Sequence, residues 1–149
     1  MSGEGREEDG VPRRVTRVRE AMLTEPRALT VDATAQEAGA ILARIEVRSV
    51  LVVDAGGLLV GEVTREALVE RVVAAGRDPR TTTVGSIVVP VAVTLDAEAD
   101  VDAAFLLMEE HDSERLPVVE AGRLIGAVSR SVLRRRLAED EPPLTDGGA

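Results

Sequence analysis

The feature that most constrains the fold of this chain is an internal duplication. The stretch SVLVVDAGGLLVGEVTREAL at residues 49–68 returns as RLPVVEAGRLIGAVSRSVL at residues 115–133. Gly61 and Gly126 lie 65 positions apart, and Val52 and Val118 lie 66 apart, because the turn between them is one residue shorter in the second copy. Self-similarity at a fixed spacing is stronger evidence of architecture than any local motif. The chain is therefore predicted to consist of two structural repeats.

Each repeat has the same predicted order of elements, β-α-β-β-α. A short apolar segment with a threonine, ALTV at 28–31 or AVTL at 92–95, reads as the first strand. A helix follows, because apolar residues recur at helical spacing, and Thr34 is placed to cap the first one. Two apolar strands around a turn then form a hairpin, and Thr64 or Ser129 caps a last helix. The positions that recur at helical spacing are Ala38, Ile41, Leu42 and Ile45 in the first repeat, and Val101, Ala104, Phe105, Met108 and His111 in the second.

These repeats set the predicted domain organisation. Residues 15–76 form the first repeat and 84–138 the second, joined by a linker at 77–83. The acidic segments 1–14 and 139–149 are rich in Gly, Glu, Pro or Asp, and we expect them to be disordered. One unit of about 60 residues buries little surface alone. We therefore expect a mixed α/β (α+β) domain in which the two repeats pack sheet to sheet with pseudo-twofold symmetry.

Composition argues against several functional classes. The 27 acidic residues outweigh 18 basic ones, all of them Arg, to give a net charge of −9, and Phe105 is the only aromatic residue. Nucleic-acid binders use a positive surface or aromatic stacking, so we expect no nucleic-acid partner. The absence of cysteine and the presence of a single histidine argue against a metal site. No apolar run approaches the ~20 residues of a membrane span, and no leader is recognisable, so a cytoplasmic protein is expected.

An enzyme is also disfavoured by the residues. His111, which ends a predicted helix just before a strand, suits the negative end of the helix dipole better than proton transfer. Glu109 and Glu110 are adjacent and point apart on a helix, so they do not form an acid–base pair. No set of residues supports a nucleophile, a metal site or a general base, so we expect no enzymatic activity.

Taken in order, these segments resemble a known family. A helix followed by RLPVVEAGRLIGAVSR, together with REAM at 19–22 and MEEH at 108–111, resembles the CBS domain, and Pro26 after REAM supports this. Two copies resemble a tandem CBS pair, or Bateman module, over roughly residues 15–138. The resemblance implies a stand-alone regulatory sensor that is not an enzyme and requires no cofactor. It also implies binding of an adenosine-containing ligand (AMP, ADP, ATP or an S-adenosyl compound) in clefts between the repeats, with signalling by conformational or oligomeric change. A homodimer and a regulated protein partner are further expectations.

The resemblance also assigns ligand-binding positions. In the family, the hairpin and last helix often read Gly, two apolar residues, Thr or Ser, two further residues, and Asp. The hydroxyl contacts ribose or phosphate, the Asp holds the ribose hydroxyls, and the first strand and the middle of the hairpin face adenine. Arginine follows the hydroxyl in both repeats here, where it suits bidentate contact with phosphate. The predicted ligand-binding residues are Thr30, Leu51, Val52, Gly61, Thr64 and Arg65, with Thr94, Pro117, Val118, Gly126, Ser129 and Arg130.

Both repeats depart from the family at the ribose carboxylate, where Ala67 and Val132 stand. A hydrogen bond to a charged group contributes about 1.5–3 kcal/mol, so its loss weakens nucleoside binding roughly 10- to 100-fold. Glu66 and Ser131 lie one residue earlier, about 100° around the helix, and do not replace it. A second hypothesis is therefore a degenerate CBS pair that acts in protein–protein association without a nucleotide.

Overall fold

The computed structural model describes residues 16–140. The predicted disordered lead, residues 1–14, lies outside the described residues, as does the predicted tail beyond Asp140. The last helix extends into that tail as far as Asp140. The elements are α1 (Val18–Ala21), β1 (Leu23–Thr24), β2 (Ala28–Thr30), α2 (Ala35–Leu42), β3 (Ser49–Val53), β4 (Leu59–Thr64), α3 (Arg65–Leu68), a π-helical turn (Val69–Val73), a 3₁₀ turn (Val84–Ser86), β5 (Leu95–Asp96), α4 (Val101–Glu110), β6 (Arg115–Glu120), β7 (Arg123–Ser129) and α5 (Arg130–Asp140).

Each repeat builds its own small sheet, as the duplication predicted. In the first repeat β3 lies between a parallel β2 and an antiparallel β4. In the second, β6 lies between a parallel β5 and an antiparallel β7. The helices of each repeat pack on its sheet around a separate aliphatic core. The predicted mixed fold of two β-α-β-β-α repeats is confirmed.

Most predicted helix boundaries follow from capping groups in the sequence. The Thr34 hydroxyl accepts a hydrogen bond from the Glu37 amide at 3.1 Å, and the Glu37 carboxylate reaches back to Thr34, so α2 begins at a capping box. Asp100 caps α4 through a single hydrogen bond, which its carboxylate accepts from the Asp102 amide at 2.7 Å. Ile45 is an exception: α2 ends at Leu42, and Ile45 is 88% exposed rather than part of the apolar helix face.

The first strand of the second repeat is not the predicted AVTL segment at 92–95. β5 contains only Leu95 and Asp96, which pair with Val118 and Val119 of β6. The matching pairs in the first repeat join Leu29 to Val52 and Thr30 to Val53. At the 66-residue spacing, Asp96 is therefore the equivalent of Thr30. The prediction instead aligned Thr94 with Thr30, and so placed the first strand of the second repeat two residues too early. Thr94 precedes the strand.

The chain that precedes each repeat completes the other repeat. β1 pairs with β7 of the second repeat, and the fully buried Val18 belongs to that repeat's core. Reciprocally, Val89 exchanges two backbone hydrogen bonds with Glu62 of β4, at 2.9 and 2.8 Å, and the fully buried Val84 belongs to the first core. We call residues 18–24 and 84–90 the lead segments. Their exchange was not predicted, and it makes each core depend on both repeats.

The hairpin turns of the two repeats also meet symmetrically. The Leu59 amide donates to the Gly122 carbonyl, and the Leu124 amide donates to the Gly57 carbonyl, both at 3.0 Å. These four residues are pairs separated by 65 positions, so the two contacts are copies of each other. The relation between the sheets is therefore a pseudo-twofold one.

Gly61 and Gly126 mark the two places where a lead segment crosses a hairpin. A Cβ atom on Gly61 would lie 2.6 Å from the Val89 carbonyl oxygen. A Cβ on Gly126 would lie 2.9 Å from the Leu23 carbonyl oxygen and 2.6 Å from the sulfur of Met22. The distances to the two backbone carbonyl oxygens are too short for any side chain. Glycine is therefore required for close backbone approach at Gly61 and at Gly126.

This crossing predicts the effect of a single methyl group. Gly61→Ala and Gly126→Ala should each lower the free energy of unfolding by about 1–3 kcal/mol, the usual cost of overpacking. Gly56→Ala is the matched control, because its Cβ would meet nothing closer than Asp54 Oδ1 at 3.5 Å. Urea unfolding measures all three variants, and unchanged stability of Gly61→Ala would contradict the crossing.

Candidate ligand cleft

A cleft lies where the second lead segment crosses the first repeat. The cleft has a volume of about 250 Å³, just below the range of about 300–1,000 Å³ that is usual for small-molecule sites. It is lined by Leu59, Val60, Gly61, Pro90, Val91 and Thr94. Thr94 supplies the only side-chain hydroxyl of this lining, and no lining residue is charged. Such a surface suits a flat, mostly apolar ring with a single hydrogen bond.

The cleft brings together two of the predicted ligand-binding residues from different repeats. Gly61 comes from β4 of the first repeat, and Thr94 comes from the chain that leads into β5. At the pseudo-symmetric position, Gly126 of β7 pairs with Thr24 of β1. There, Glu25 stands where the first cleft has Val91, and it adopts a positive φ of 56°. The two crossings are therefore chemically different.

Of the residues predicted to face adenine, only Thr94 lines this cleft. Val52 and Val118 are fully buried in the two cores and lie on the central strand of each sheet. Pro117 is buried, Leu51 is half-buried, and Thr30 is exposed at the end of β2. The side chains of Val52 and Val118 thus stabilise the cores, and a ligand role for these five positions stays a prediction.

The two predicted hydroxyl contacts act as helix caps. Thr64 accepts a hydrogen bond from the Ala67 amide at 3.1 Å, and Ser129 accepts one from the Val132 amide at 3.2 Å. Ala67 is 3% exposed, so the position of the family's ribose carboxylate is packed into the interior of the first repeat. The capping predictions are confirmed, whereas contact of either hydroxyl with a ligand stays a prediction.

The two predicted phosphate-binding arginines are held by other groups. Arg65 donates to the backbone carbonyl of Arg44 at 2.8 Å. Arg130 is 14% exposed and pairs with Glu114 at 2.5 Å and with Asp112 at 3.3 Å. The hydrogen bonds that Arg130 donates to Glu114 and to Asp112 raise the pKa of its guanidinium above the ordinary value. In each repeat, the arginine therefore links the start of the last helix to the segment that follows the preceding helix.

Sequence reasoning missed four residues of the cleft, Leu59, Val60, Pro90 and Val91. The spacing of the repeats could have identified the last two, because Val89 lies 66 positions after Leu23. The lead segments therefore belong to the repeat. Among the described residues no group of three or more His, Cys, Asp or Glu side chains is arranged to hold a metal ion. No helix within residues 16–140 is long and apolar enough to cross a membrane.

Comparison with known proteins agrees with this architecture. The sequence model of the CBS domain matches the chain twice, over residues 18–74 and 84–139. Hypoxic response protein 1 of Mycobacterium tuberculosis is 35% identical over 79 residues, which are 53% of this chain and 55% of that protein. The chain thus spans just over half the length of that relative. CBS domain-containing protein YhcV of Bacillus subtilis is 30% identical over 112 residues, 75% of this chain and 79% of that protein.

Solved structures show the same fold. The crystal structure of Hypoxic Response Protein I with two coordinated zinc ions has a TM-score of 0.66 and 26% identity, and covers 81% of this chain and 98% of that one. The structure of CBSX2 in complex with AMP has a TM-score of 0.65 and 22% identity, and covers 83% of this chain and 96% of that one.

The two arginine contacts predict different responses to salt. Arg65→Gln should lower the free energy of unfolding by about 1 kcal/mol at any ionic strength, because its partner is a neutral carbonyl. Arg130→Gln should also destabilise, but its effect should shrink as salt screens the carboxylates. Urea unfolding at low and high sodium chloride measures both, and equal salt dependence of the two variants would contradict these assignments.

Proposed function

The chain belongs to the CBS-domain family as a tandem pair, and we propose that this regulatory module binds an adenosine-containing ligand in the cleft between its repeats. The observation that carries the proposal is the cleft at the lead-segment crossing, where Gly61 and Thr94 of different repeats meet. Its apolar walls suit a purine ring, and Thr94 offers a hydroxyl. AMP in the CBSX2 structure, which shares this fold, supports the same ligand class.

Charge favours the nucleoside part of such a ligand over a long phosphate chain. None of the residues that line the cleft is cationic, and Arg65 and Arg130 are engaged elsewhere. The net charge of −9 further opposes polyanions. We therefore expect AMP to bind at least as tightly as ATP, and S-adenosyl compounds to be good competitors.

Ligand binding in this cleft can change the arrangement of the two repeats directly. The cleft joins β4 of the first repeat to the segment that leads into the second, so a ligand there contacts both repeats at once. A ligand that binds only one arrangement of the two repeats stabilises that arrangement by mass action. A change in the position of the lead segments, or in assembly, is the expected output.

Calorimetric titration with AMP, ADP, ATP, NAD and S-adenosylmethionine tests the proposal. Thr94→Val should weaken AMP binding about fivefold, the effect of one neutral hydrogen bond. Thr83→Val is the matched control, because Thr83 lies outside the cleft and its side chain makes no capping hydrogen bond. Absence of heat and of a thermal shift with every ligand at millimolar concentration would refute the proposal.

A second candidate function is protein–protein association without a nucleotide. Ala67 favours it, because the position of the ribose carboxylate is buried and apolar. Mass spectrometry of small molecules released on denaturation separates the two functions. A co-purified nucleotide supports ligand binding, and a protein that purifies empty and ignores all five compounds supports association.

A further inference from the structure

The segment that forms one wall of the cleft is held mainly at its ends. Pro90, Val91 and Thr94 line the cleft from this side. The backbone of residues 90–93 makes no hydrogen bond with another residue of the range 16–140. The position of this wall therefore depends on the contacts made by the residues directly before it and on the strand β5 that follows.

Two sets of hydrogen bonds hold the chain directly before the wall. Val89 exchanges backbone hydrogen bonds with Glu62 of β4, as described above. Arg71 donates a hydrogen bond from Nη1 to the Val88 carbonyl oxygen at 2.9 Å. The preceding residue, Ile87, is fully buried in the first core. Arg71 therefore binds the backbone at the point where the chain leaves the core and continues into the cleft wall.

Arg71 lies in an irregular part of the last helical segment of the first repeat. It belongs to the π-helical turn Val69–Val73, which the Ala74 amide closes by donating to the Val69 carbonyl at 2.7 Å. Single π-helical turns within helices occur frequently at functional sites. The Arg71 side chain is exposed, so its replacement leaves no cavity in the core.

The equivalent arginine of the second repeat binds a different part of its lead segment. Arg136 lies 65 positions after Arg71 and donates to the Glu20 carbonyl oxygen at 2.7 Å. The equivalent of Val88, 66 positions earlier, is Met22. Arg136 thus binds within α1, two residues further from the crossing. In both repeats an arginine holds the exchanged lead segment, but Arg71 binds beside the cleft and Arg136 does not.

We propose that Arg71 is a positioning residue for the ligand cleft. Through the Val88 carbonyl it fixes the backbone that continues into Pro90 and Val91, and so sets the distance between that wall and β4. Arg71 is not among the residues that line the cleft, so it acts on a ligand through the lead segment. This inference rests on the proposed function for its ligand, whereas the effect on the lead segment can be measured without one.

Backbone relaxation measured by NMR on the ligand-free protein tests the effect on the wall. Arg71→Met removes the hydrogen-bond donor and keeps an unbranched side chain that suits a helix. The order parameters of the Val91 and Val93 amides should fall from about 0.85, typical of rigid backbone, toward the value of about 0.6 that marks flexible backbone. Arg136→Met is the matched control and should leave both unchanged. Unchanged order parameters in Arg71→Met, or an equal fall in Arg136→Met, would overturn the proposal.

Calorimetric titration with adenosine and with AMP tests the effect on the cleft. Arg71→Met should weaken both about fivefold, the effect of one hydrogen bond, and Arg136→Met should weaken neither. A larger loss for AMP than for adenosine would show that Arg71 contacts the phosphate directly, and would overturn the positioning role. If the unsubstituted chain binds neither compound, the proposed function fails, and the order parameters then decide whether Arg71 holds the wall.

Discussion

The close crossing of backbone over glycine is the contact on which the rest of the structure depends. At Gly61 the second lead segment approaches β4 so closely that a methyl group would meet the Val89 carbonyl, and Gly126 repeats this against Leu23. Because the leads cross, Val84 enters the first core and Val18 enters the second. The ligand cleft lies at one of these crossings. The two cores, the pairing at the sheet edges and the position of the candidate site therefore all depend on this crossing.

Local features of the fold were predictable from the sequence, and the exchange of the lead segments was not. Thr34, Thr64 and Ser129 cap helices through residues three positions away, so their role can be read from the sequence. Val18 gives no such signal, because an apolar residue before a repeat does not reveal which core it enters. The misplaced strand at 92–95 has a similar origin, since the pairing of β5 with β6 is a tertiary contact.

The candidate site was predictable only in part for the same reason. Gly61 and Thr94 were identified from a resemblance and do meet in the cleft. The arginines were assigned to phosphate because their partners are distant in sequence: Arg65 reaches Arg44, and Arg130 reaches Glu114. Duplication also conceals divergence, because equivalent positions such as Gly39 and Phe105 differ greatly in side-chain size.

The central claim is that exchange of lead segments joins the two repeats into one cooperative unit. Differential scanning calorimetry of the intact chain tests it most directly. Each core contains a residue from the lead segment that precedes the other repeat. Neither repeat should therefore unfold while the other remains folded. The account predicts one transition whose calorimetric and van't Hoff enthalpies agree. Two resolved transitions, one for each repeat, would contradict it.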